Sequence, residues 1–311
     1  MVFLGTPLAA VPALRALAET ADVALVVTRP DRRRGRSGRK TPSDVKRSAL
    51  ELGLATACPT DRIELEEALE TVGPFRLGVV VAYGMLLTRS MLERAESGFV
   101  NVHFSLLPRW RGASPVAAAI RAGDAVTGVS LMRVTEGLDS GPVLAAATHP
   151  IAERDTRGGL TERLSHLGAD LLVDNLAGAI SGELAGTPQH ETDATYAPRL
   201  SAGDARLDFT RPAQELARQV RAMSPRPGAF AWWGETRMRI LESRWSPEAP
   251  TPLDAGGLDL VGGGLWCGAG SGALVLEVVQ PAGRRPMRGA DWARGVRGGL
   301  GRLSGVGPSQ S

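Results

Sequence analysis

The chain has 311 residues, a net charge of +3 and 43% hydrophobic residues, a composition that suits a globular protein of one large or two medium domains. No apolar run approaches the roughly 18 residues that a membrane-spanning helix needs, and the amino terminus lacks the charged region and cleavage site of a secretion signal. The two cysteines, Cys58 and Cys267, lack the spacing of a disulfide framework or a zinc site. We therefore expect a cytoplasmic protein without a bound metal. The positive charge is almost all arginine, which indicates a GC-rich bacterial genome.

The first hundred residues alternate apolar strands with helical segments. Residues 2–4 form an apolar strand pattern, Thr6 and Pro7 have the residue types of a helix N-terminus, and residues 23–28 form a second strand pattern. This βαβ opening predicts an α/β fold with a doubly wound, Rossmann-like parallel sheet. The first turn has one glycine where a dinucleotide fingerprint needs three, so no nucleotide site is predicted from it.

Composition changes in the last third of the chain. Residues 1–182 are interpreted as a catalytic domain and 183–205, rich in polar residues, Gly and Pro, as a linker. From 206 onward short strand patterns alternate with Gly- and Pro-containing turns, which predicts a small β-barrel of the OB-like kind. The end of the chain, from about 295 to 311, lacks periodicity and is expected to be disordered.

Positive charge is concentrated in two places. Residues 29–40 carry seven basic residues and one acid, and residues 206–311 carry 14 arginines against nine acids. The loop at 29–40 has two interpretations: a solvated, flexible loop, or an arm whose arginines make bidentate contacts with phosphates.

The strongest chemical signal lies between residues 101 and 139. Asn101 and His103 are two residues apart, so on a strand they share one face. Polar groups at the end of an apolar parallel strand are costly unless they have a function. Histidine can take and give a proton near neutral pH, an asparagine amide can stabilise an oxyanion, and Asp139, on a glycine-flanked loop, can orient the histidine. The pattern favours direct acyl-type transfer between two bound substrates.

The residues alone leave other interpretations open. A histidine or an asparagine at a strand end is more often a structural residue with its hydrogen bonds satisfied than a catalyst. Ser105, two residues after His103, is a weak candidate for a covalent nucleophile. An RNA-binding protein without activity would also carry the basic loop.

Several motifs resemble the signature of the folate-dependent formyltransferases. They are Asn-Val-His-Phe-Ser-Leu-Leu-Pro at 101–108, Arg-Trp-Arg-Gly-Ala-Ser-Pro at 109–115 and Gly-Leu-Asp-Ser-Gly at 137–141. Further shared segments run along nearly the whole chain: 3–7, 30–32, 80–84, 199–201, 206–208 and 280–283.

The resemblance implies specific residues and a specific activity. It implies Asn101, His103 and Asp139 as the catalytic trio. It implies a folate pocket formed by Tyr83, Gly84, Met85, Leu86, Ser105, Leu106, Leu107 and Pro108. It implies a tRNA-binding role for the basic carboxy-terminal domain and for the loop that carries Arg32, Arg33, Arg34, Arg36, Arg39 and Lys40. The implied reaction transfers the formyl group of 10-formyltetrahydrofolate to the amino group of methionine on initiator methionyl-tRNA, for translation initiation.

The main alternative interpretations are related enzymes with the same catalytic domain. A formyltransferase for a small amine, such as a ribonucleotide or an amino sugar, or a formyltetrahydrofolate hydrolase would show the same trio. The basic loop and the basic second domain favour tRNA, because a small substrate needs neither. Nothing in the sequence calls for an oligomer, and a monomer is expected.

Overall fold

A computed structural model describes residues 1–33 and 40–307. The chain divides into two compact units. The first comprises Met1–Pro115, Val126–Pro150 and Thr161–Arg199, and the second comprises Val116–Ala125, Ile151–Leu160 and the residues from 200 onward. The helices are, in chain order, α1 (Val11–Thr20), α2 (Asp44–Glu51), α3 (Arg62–Glu70), α4 (Arg89–Leu92), α5 (Pro115–Ala122), α6 (Arg157–Asp174), α7 (Leu176–Ser181), α8 (Ala213–Met223) and α9 (Gly289–Arg294).

The first unit is built on a mixed sheet. Its strands are β1 (Val2–Gly5), β2 (Leu25–Val27), β3 (Arg32–Arg33), β4 (Lys40–Thr41), β5 (Thr56–Ala57), β6 (Gly78–Val81), β7 (Phe99–His103), β8 (Val126–Arg133) and β9 (Val143–Pro150). Seven of the described strands pair in the order β5-β2-β1-β6-β7-β8-β9. The strands from β5 to β7 are parallel, and β8 and β9 are antiparallel additions at one edge. The prediction of a doubly wound, Rossmann-like sheet is confirmed.

The topology fixes where a ligand can bind. β2 and β6 lie on opposite sides of β1, so the strand order reverses there, and open α/β sheets bind ligands at the carboxyl ends of the strands around such a point. The strands themselves are apolar and deeply buried, as in Val2, Phe3 and Leu4, because helices cover both faces of a parallel sheet. The polar residues at the ends of β1, β6 and β7 therefore face the same edge.

The first helix begins later than the Thr6–Pro7 pattern indicates. A 3₁₀ turn, Leu8–Ala10, precedes α1, and neither helix has a side-chain cap. Thr6 Oγ1 instead accepts a hydrogen bond from the backbone N–H of Arg29 at 3.4 Å. That bond joins the end of β1 to the end of β2, so the threonine organises the sheet edge rather than the helix.

The segment expected to be a linker, 183–205, is tied to the first unit over much of its length. Thr187 and Val143 exchange backbone hydrogen bonds of 2.8 and 2.9 Å, and the N–H of Ala197 donates to the carbonyl of Arg111 at 2.7 Å. These bonds hold the segment against β9 and against the turn that follows β7.

The second unit carries the antiparallel sheet. Its strands are β10 (Phe230–Trp233), β11 (Thr236–Ser246), β12 (Leu258–Val261), β13 (Gly264–Gly268), β14 (Ala273–Pro281), β15 (Met287–Arg288) and β16 (Leu303–Ser304). The described strands pair in the order β12-β13-β14-β11-β10-β16, with β15 beside β14. The two ends of this sheet meet, because Leu258 N–H donates to Gly301 O at 3.1 Å and Leu303 N–H donates to Gly256 O at 2.7 Å. This closure agrees with the expected small β-barrel.

The carboxy-terminal part differs from the expectation of disorder after about 295. Within its described part, to residue 307, β16 pairs with Trp232 and Trp233 of β10, and the side chain of Leu303 is buried. A two-residue strand has too few positions to show a periodicity, which explains why the sequence pattern misses it. In the part of the chain that the structure describes, no helix combines the length and the apolar character that crossing a membrane requires.

Candidate active site

Asn101 and His103 lie on β7, the last parallel strand, and both line a cavity at the carboxyl edge of the sheet. β8 pairs with β7 on its far side, which places Met132 opposite Asn101 and Ser130 opposite His103. His103 is only 6% exposed. A side chain that is this buried must have its polar atoms paired, so its partners define what it can do.

The ring of His103 has two different neighbours. Nε2 lies 2.9 Å from the carbonyl oxygen of Trp110. A carbonyl oxygen can only accept a hydrogen bond, so Nε2 carries the hydrogen and donates it. In the neutral ring, Nδ1 is therefore the free base. Nδ1 faces Asp139, with 3.7 Å between Nδ1 and Oδ2.

Asp139 is held by both of its carboxylate oxygens. Oδ2 accepts a 2.8 Å hydrogen bond from the backbone N–H of Gly112, and Oδ1 accepts a 3.4 Å bond from the amide of Asn101. The same carboxylate therefore touches Asn101 and faces His103. The structure brings together the three residues that the sequence predicted as catalytic.

Gly112 is required at its position for two reasons. Its φ is +110°, a conformation that L side chains rarely adopt, and an added Cβ would lie 2.8 Å from the carbonyl oxygen of Ala197. Only glycine lets the backbone N–H reach Asp139 there. Gly112 belongs to the Arg-Gly motif that the sequence singled out, but its role toward Asp139 depends on tertiary contacts.

Backbone strain is concentrated around this site. The non-glycine residues with positive φ in the described chain are Ala82 at 49°, Trp110 at 61° and Asp139 at 49°. Ala82 and Asp139 line the cavity, and Trp110 holds His103. Such conformations cost on the order of 1–3 kcal/mol each and cluster where function requires a fixed geometry.

The cavity has a volume of about 750 Å³, within the usual range for small-molecule sites. The predicted residues Tyr83, Gly84, Met85 and Leu86 line one side. Burial raises the pKa of Tyr83 to about 12, although the nearby charge of Arg29 opposes the increase. Its hydroxyl is buried beside the Arg29 guanidinium, but it makes no hydrogen bond of good geometry with any described residue. This hydroxyl therefore stays protonated and neutral near neutral pH.

The cavity also has walls that the sequence did not assign to the folate pocket or to the catalytic trio. Thr6 and Arg29 lie at the ends of β1 and β2, and Arg199 comes from the carboxy-terminal end of the first unit. Thr6 and Arg199 belong to segments shared with the family, which is the only sequence signal that pointed to them. They add donors and positive charge to one side of the cavity.

The four residues Ser105 to Pro108, expected in the folate pocket, are not among those that line the cavity. Ser105 is fully buried, and its hydroxyl donates to the carbonyl of Arg109 at 2.6 Å. Ser130 Oγ accepts from Leu107 N–H at 3.1 Å and donates to the carbonyl of Ser105 at 2.8 Å. These residues instead fix the turn that presents the Trp110 carbonyl to His103, and the same buried bonds leave Ser105 no geometry for a nucleophilic role.

The basic loop is described only at its base. β3 and β4 pair Arg32 with Thr41 and Arg33 with Lys40, and Arg32 lines the cavity. Lys46 Nζ donates to Asp31 at 2.9 Å, which anchors this base to α2. Three predicted tRNA contacts, Arg34, Arg36 and Arg39, lie outside the described residues.

No group of three or more His, Cys, Asp or Glu side chains in the described part of the chain has the geometry of a metal site. Both cysteines are free thiols, and burial raises the pKa of the Cys267 thiol.

The chain belongs to the formyl transferase family. The formyl transferase model matches residues 2–176, and the model of the formyl transferase C-terminal domain matches residues 199–297. Together the two matches cover most of the chain and include the site and the barrel.

Curated relatives match over nearly the full length. The chain is 44% identical to a methionyl-tRNA formyltransferase of Clavibacter michiganensis subsp. michiganensis, over 95% of this chain and 97% of that protein. It is 45% identical to a methionyl-tRNA formyltransferase of Halorhodospira halophila, over 96% of each protein.

Solved structures share the fold at low sequence identity. An N-formyltransferase from Helicobacter canadensis, in complex with folinic acid and dTDP-3-aminofucose, aligns with a TM-score of 0.66 and 17% identity, over 88% of this chain and 98% of that one. HypX from Aquifex aeolicus, in complex with tetrahydrofolic acid, aligns with a TM-score of 0.63 and 16% identity, over 94% of this chain and 46% of that one.

Proposed function

We propose that this chain transfers the formyl group of 10-formyltetrahydrofolate to the amino group of methionine on initiator methionyl-tRNA, the step that prepares this tRNA for translation initiation. The observation that carries the proposal is the meeting of Asn101, His103 and Asp139 at one cavity. The full-length match to relatives named for this reaction supports it.

The cavity fits a folate formyl donor in size and in polarity. Its volume leaves room for a bicyclic ring beside the trio, and Thr6, Arg29 and Arg199 add polar and charged groups to its lining. When bound, the folate supplies an activated formyl carbon.

Nδ1 of His103 takes the proton of the attacking amino group, because Nε2 is already committed to the Trp110 carbonyl. The resulting positive ring faces Asp139, whose charge favours it. Asn101 has two amide hydrogens and directs one toward Asp139, so the other is available for the oxygen of the formyl group. One such donor contributes about 2.7–4 kcal/mol to the transition state. Asp139 then helps the proton reach the departing folate nitrogen.

The basic loop and the second unit, rather than Asn101, His103 and Asp139, indicate which acceptor the chain uses. The basic loop at 29–40 begins beside the cavity, with Arg32 on its wall. The second unit matches the C-terminal domain of the family, and it carries more arginines than acids. Both features support a long, polyanionic acceptor. We therefore assign tRNA contacts to Arg32, Arg33, Arg34, Arg36, Arg39 and Lys40, and we place the reaction in the cytoplasm with a monomeric enzyme.

The test is transfer of labelled formyl from 10-formyltetrahydrofolate. Initiator methionyl-tRNA should be formylated far faster than methionyl elongator tRNA, free methionine or an amino sugar nucleotide. Release of formate without an acceptor would identify a hydrolase. Preference for the amino sugar nucleotide would identify a small-amine formyltransferase, and either result would overturn the proposal.

A further inference from the structure

Gln189 lies in the segment that looked like a linker, yet its amide reaches the loop of Asp139. Nε2 donates to the carbonyl of Asp139 at 2.9 Å and to the carbonyl of Gly141 at 2.7 Å. Both hydrogens of one amide are therefore used on two carbonyls that flank Ser140. The side chain bridges this loop from a point about 50 residues away in the sequence.

The orientation of this amide is fixed from its other end. Oε1 of Gln189 accepts a 3.0 Å hydrogen bond from Nε of Arg111. A guanidinium can only donate, so the oxygen must face Arg111 and the NH₂ must face the loop. Arg111 is itself only 2% exposed and is held by Glu191 at 2.7 Å. Tyr196 donates to the second oxygen of Glu191 at 3.0 Å.

The loop needs such support because its conformation is strained. Asp139 has a φ of 49°, a region that costs a non-glycine residue free energy and persists only when the surroundings impose it. This conformation directs the carboxylate to the N–H of Gly112 and toward His103. The two bonds from Gln189 fix the peptide planes that set this direction.

We infer that Gln189 is a positioning residue for Asp139, an inference that rests on the proposed formyl transfer. It touches no reacting atom. It acts by holding the carboxylate at the distance and angle from His103 that the reaction requires. Small displacements of this kind reduce turnover strongly without weakening substrate binding.

The chain provides a matched control. Gln219 of α8, in the second unit, donates from Nε2 to the carbonyls of Asp204 and Arg206 at 2.8 and 2.9 Å and is buried. Gln189→Ala and Gln219→Ala therefore each remove two bonds from an amide to backbone carbonyls, but only the first removes them beside the site. Gln189→Ala also removes the bond from Arg111 Nε, whereas Gln219 Oε1 has no hydrogen-bond partner among the described residues. A purely structural role for Gln189 predicts a change in stability alone, with kcat unchanged in both variants.

The experiment measures formyl transfer to initiator methionyl-tRNA together with melting temperature. Gln189→Ala should lower kcat by roughly 10–100-fold, with KM for either substrate changed less than twofold. Gln219→Ala should leave kcat unchanged, and the melting temperature reports the loss of stability of each variant separately. In Gln189→Glu the new side chain has nearly the same shape as glutamine, but its ionised carboxylate cannot donate a hydrogen bond. The kcat of this variant relative to wild type should therefore rise as the pH falls and the carboxyl gains a proton.

A second readout does not require activity. The amide proton of Gly112, which donates to Asp139, should shift upfield in the NMR spectrum of Gln189→Ala and stay in place in Gln219→Ala. An unmoved Gly112 signal, or a kcat within twofold of wild type, would overturn the positioning role. A wild-type enzyme that fails to formylate methionyl-tRNA would overturn the proposed function instead, and the Gly112 signal would still test the contact.

Discussion

Nε2 of His103 donates its hydrogen to the carbonyl oxygen of Trp110 across 2.9 Å. This bond assigns the two ring nitrogens: Nε2 is a fixed donor, and Nδ1, which faces Asp139, is the nitrogen left with a lone pair in the neutral ring. Trp110, which supplies this carbonyl, is itself in a left-handed backbone conformation, with φ at 61°. The chemistry of the histidine is thus set by a backbone group.

The tautomer can be observed directly. At a pH at which the His103 ring is neutral, ¹⁵N NMR of labelled histidine should show the proton on Nε2 and an unprotonated Nδ1. A spectrum showing the proton on Nδ1 would mean that the Trp110 carbonyl does not hold the ring, and it would remove Nδ1 as the base. His103→Ala identifies the signal.

Gly112→Ala should damage both stability and turnover. The new methyl group would approach the Ala197 carbonyl within 2.8 Å at a φ of +110°, so we expect a loss of roughly 1–3 kcal/mol in the free energy of unfolding and a large drop in kcat. Denaturant unfolding and single-turnover transfer measure the two effects.

Gly53 provides the control for this substitution. It has a φ of +70° with no heavy atom near its missing Cβ, so Gly53→Ala carries the backbone penalty without the clash and should keep full activity. Equal kcat in Gly112→Ala and Gly53→Ala would contradict the link between Gly112 and Asp139.

Glu191 should make stability depend on pH in the acid range. Hydrogen bonds from Arg111 and then Tyr196 lower the pKa of Glu191 below its ordinary value of 4.5. A carboxyl with a lowered pKa stabilises the fold above its unfolded pKa, and this contribution is lost as the pH falls through the folded pKa. Glu191→Gln should therefore have a lower Tm than wild type at pH 6–7, and the difference should shrink below about pH 4.5. A constant difference across this range would show that the ion pair is not its source.

The basic loop should control the salt dependence of tRNA binding. Replacing Arg33, Arg34 and Arg36 by alanine should reduce the slope of log K against log salt by roughly one unit for each tRNA phosphate that the loop no longer binds. A control variant with Arg62, Arg76 and Arg89 replaced removes the same charge from elsewhere on the first unit and should leave the slope nearly unchanged. Equal slopes in the two variants would assign the effect to net charge rather than to the loop.

The sequence predicted the elements whose signal is local. Asn101 and His103 do lie together on one strand, β7, as the sequence predicted, and they share a face because strands alternate with a period of two. The combination of an α/β domain with a small barrel was predicted from the change to short strand patterns after residue 206. These features depend on residues close together in the chain.

Features set by tertiary contacts were not predictable in the same way. Ser105 to Pro108 follow His103 immediately, yet they are not among the residues that line the cavity, and Ser105 and Leu107 hydrogen-bond to Ser130. Gln189 lies in a polar, proline-containing stretch and reaches Asp139 only because that stretch folds back along β9. Neither outcome has a signature in residue type or spacing.

The central claim is that His103 and Asn101 carry out formyl transfer at this cavity. The most direct measurement is single-turnover transfer from labelled 10-formyltetrahydrofolate to initiator methionyl-tRNA by wild type, His103→Ala and Asn101→Ala. The account predicts that turnover falls about 10²–10⁴-fold for His103→Ala and about 10²–10³-fold for Asn101→Ala, with both variants folded and still binding tRNA. Turnover near that of wild type in His103→Ala would contradict it.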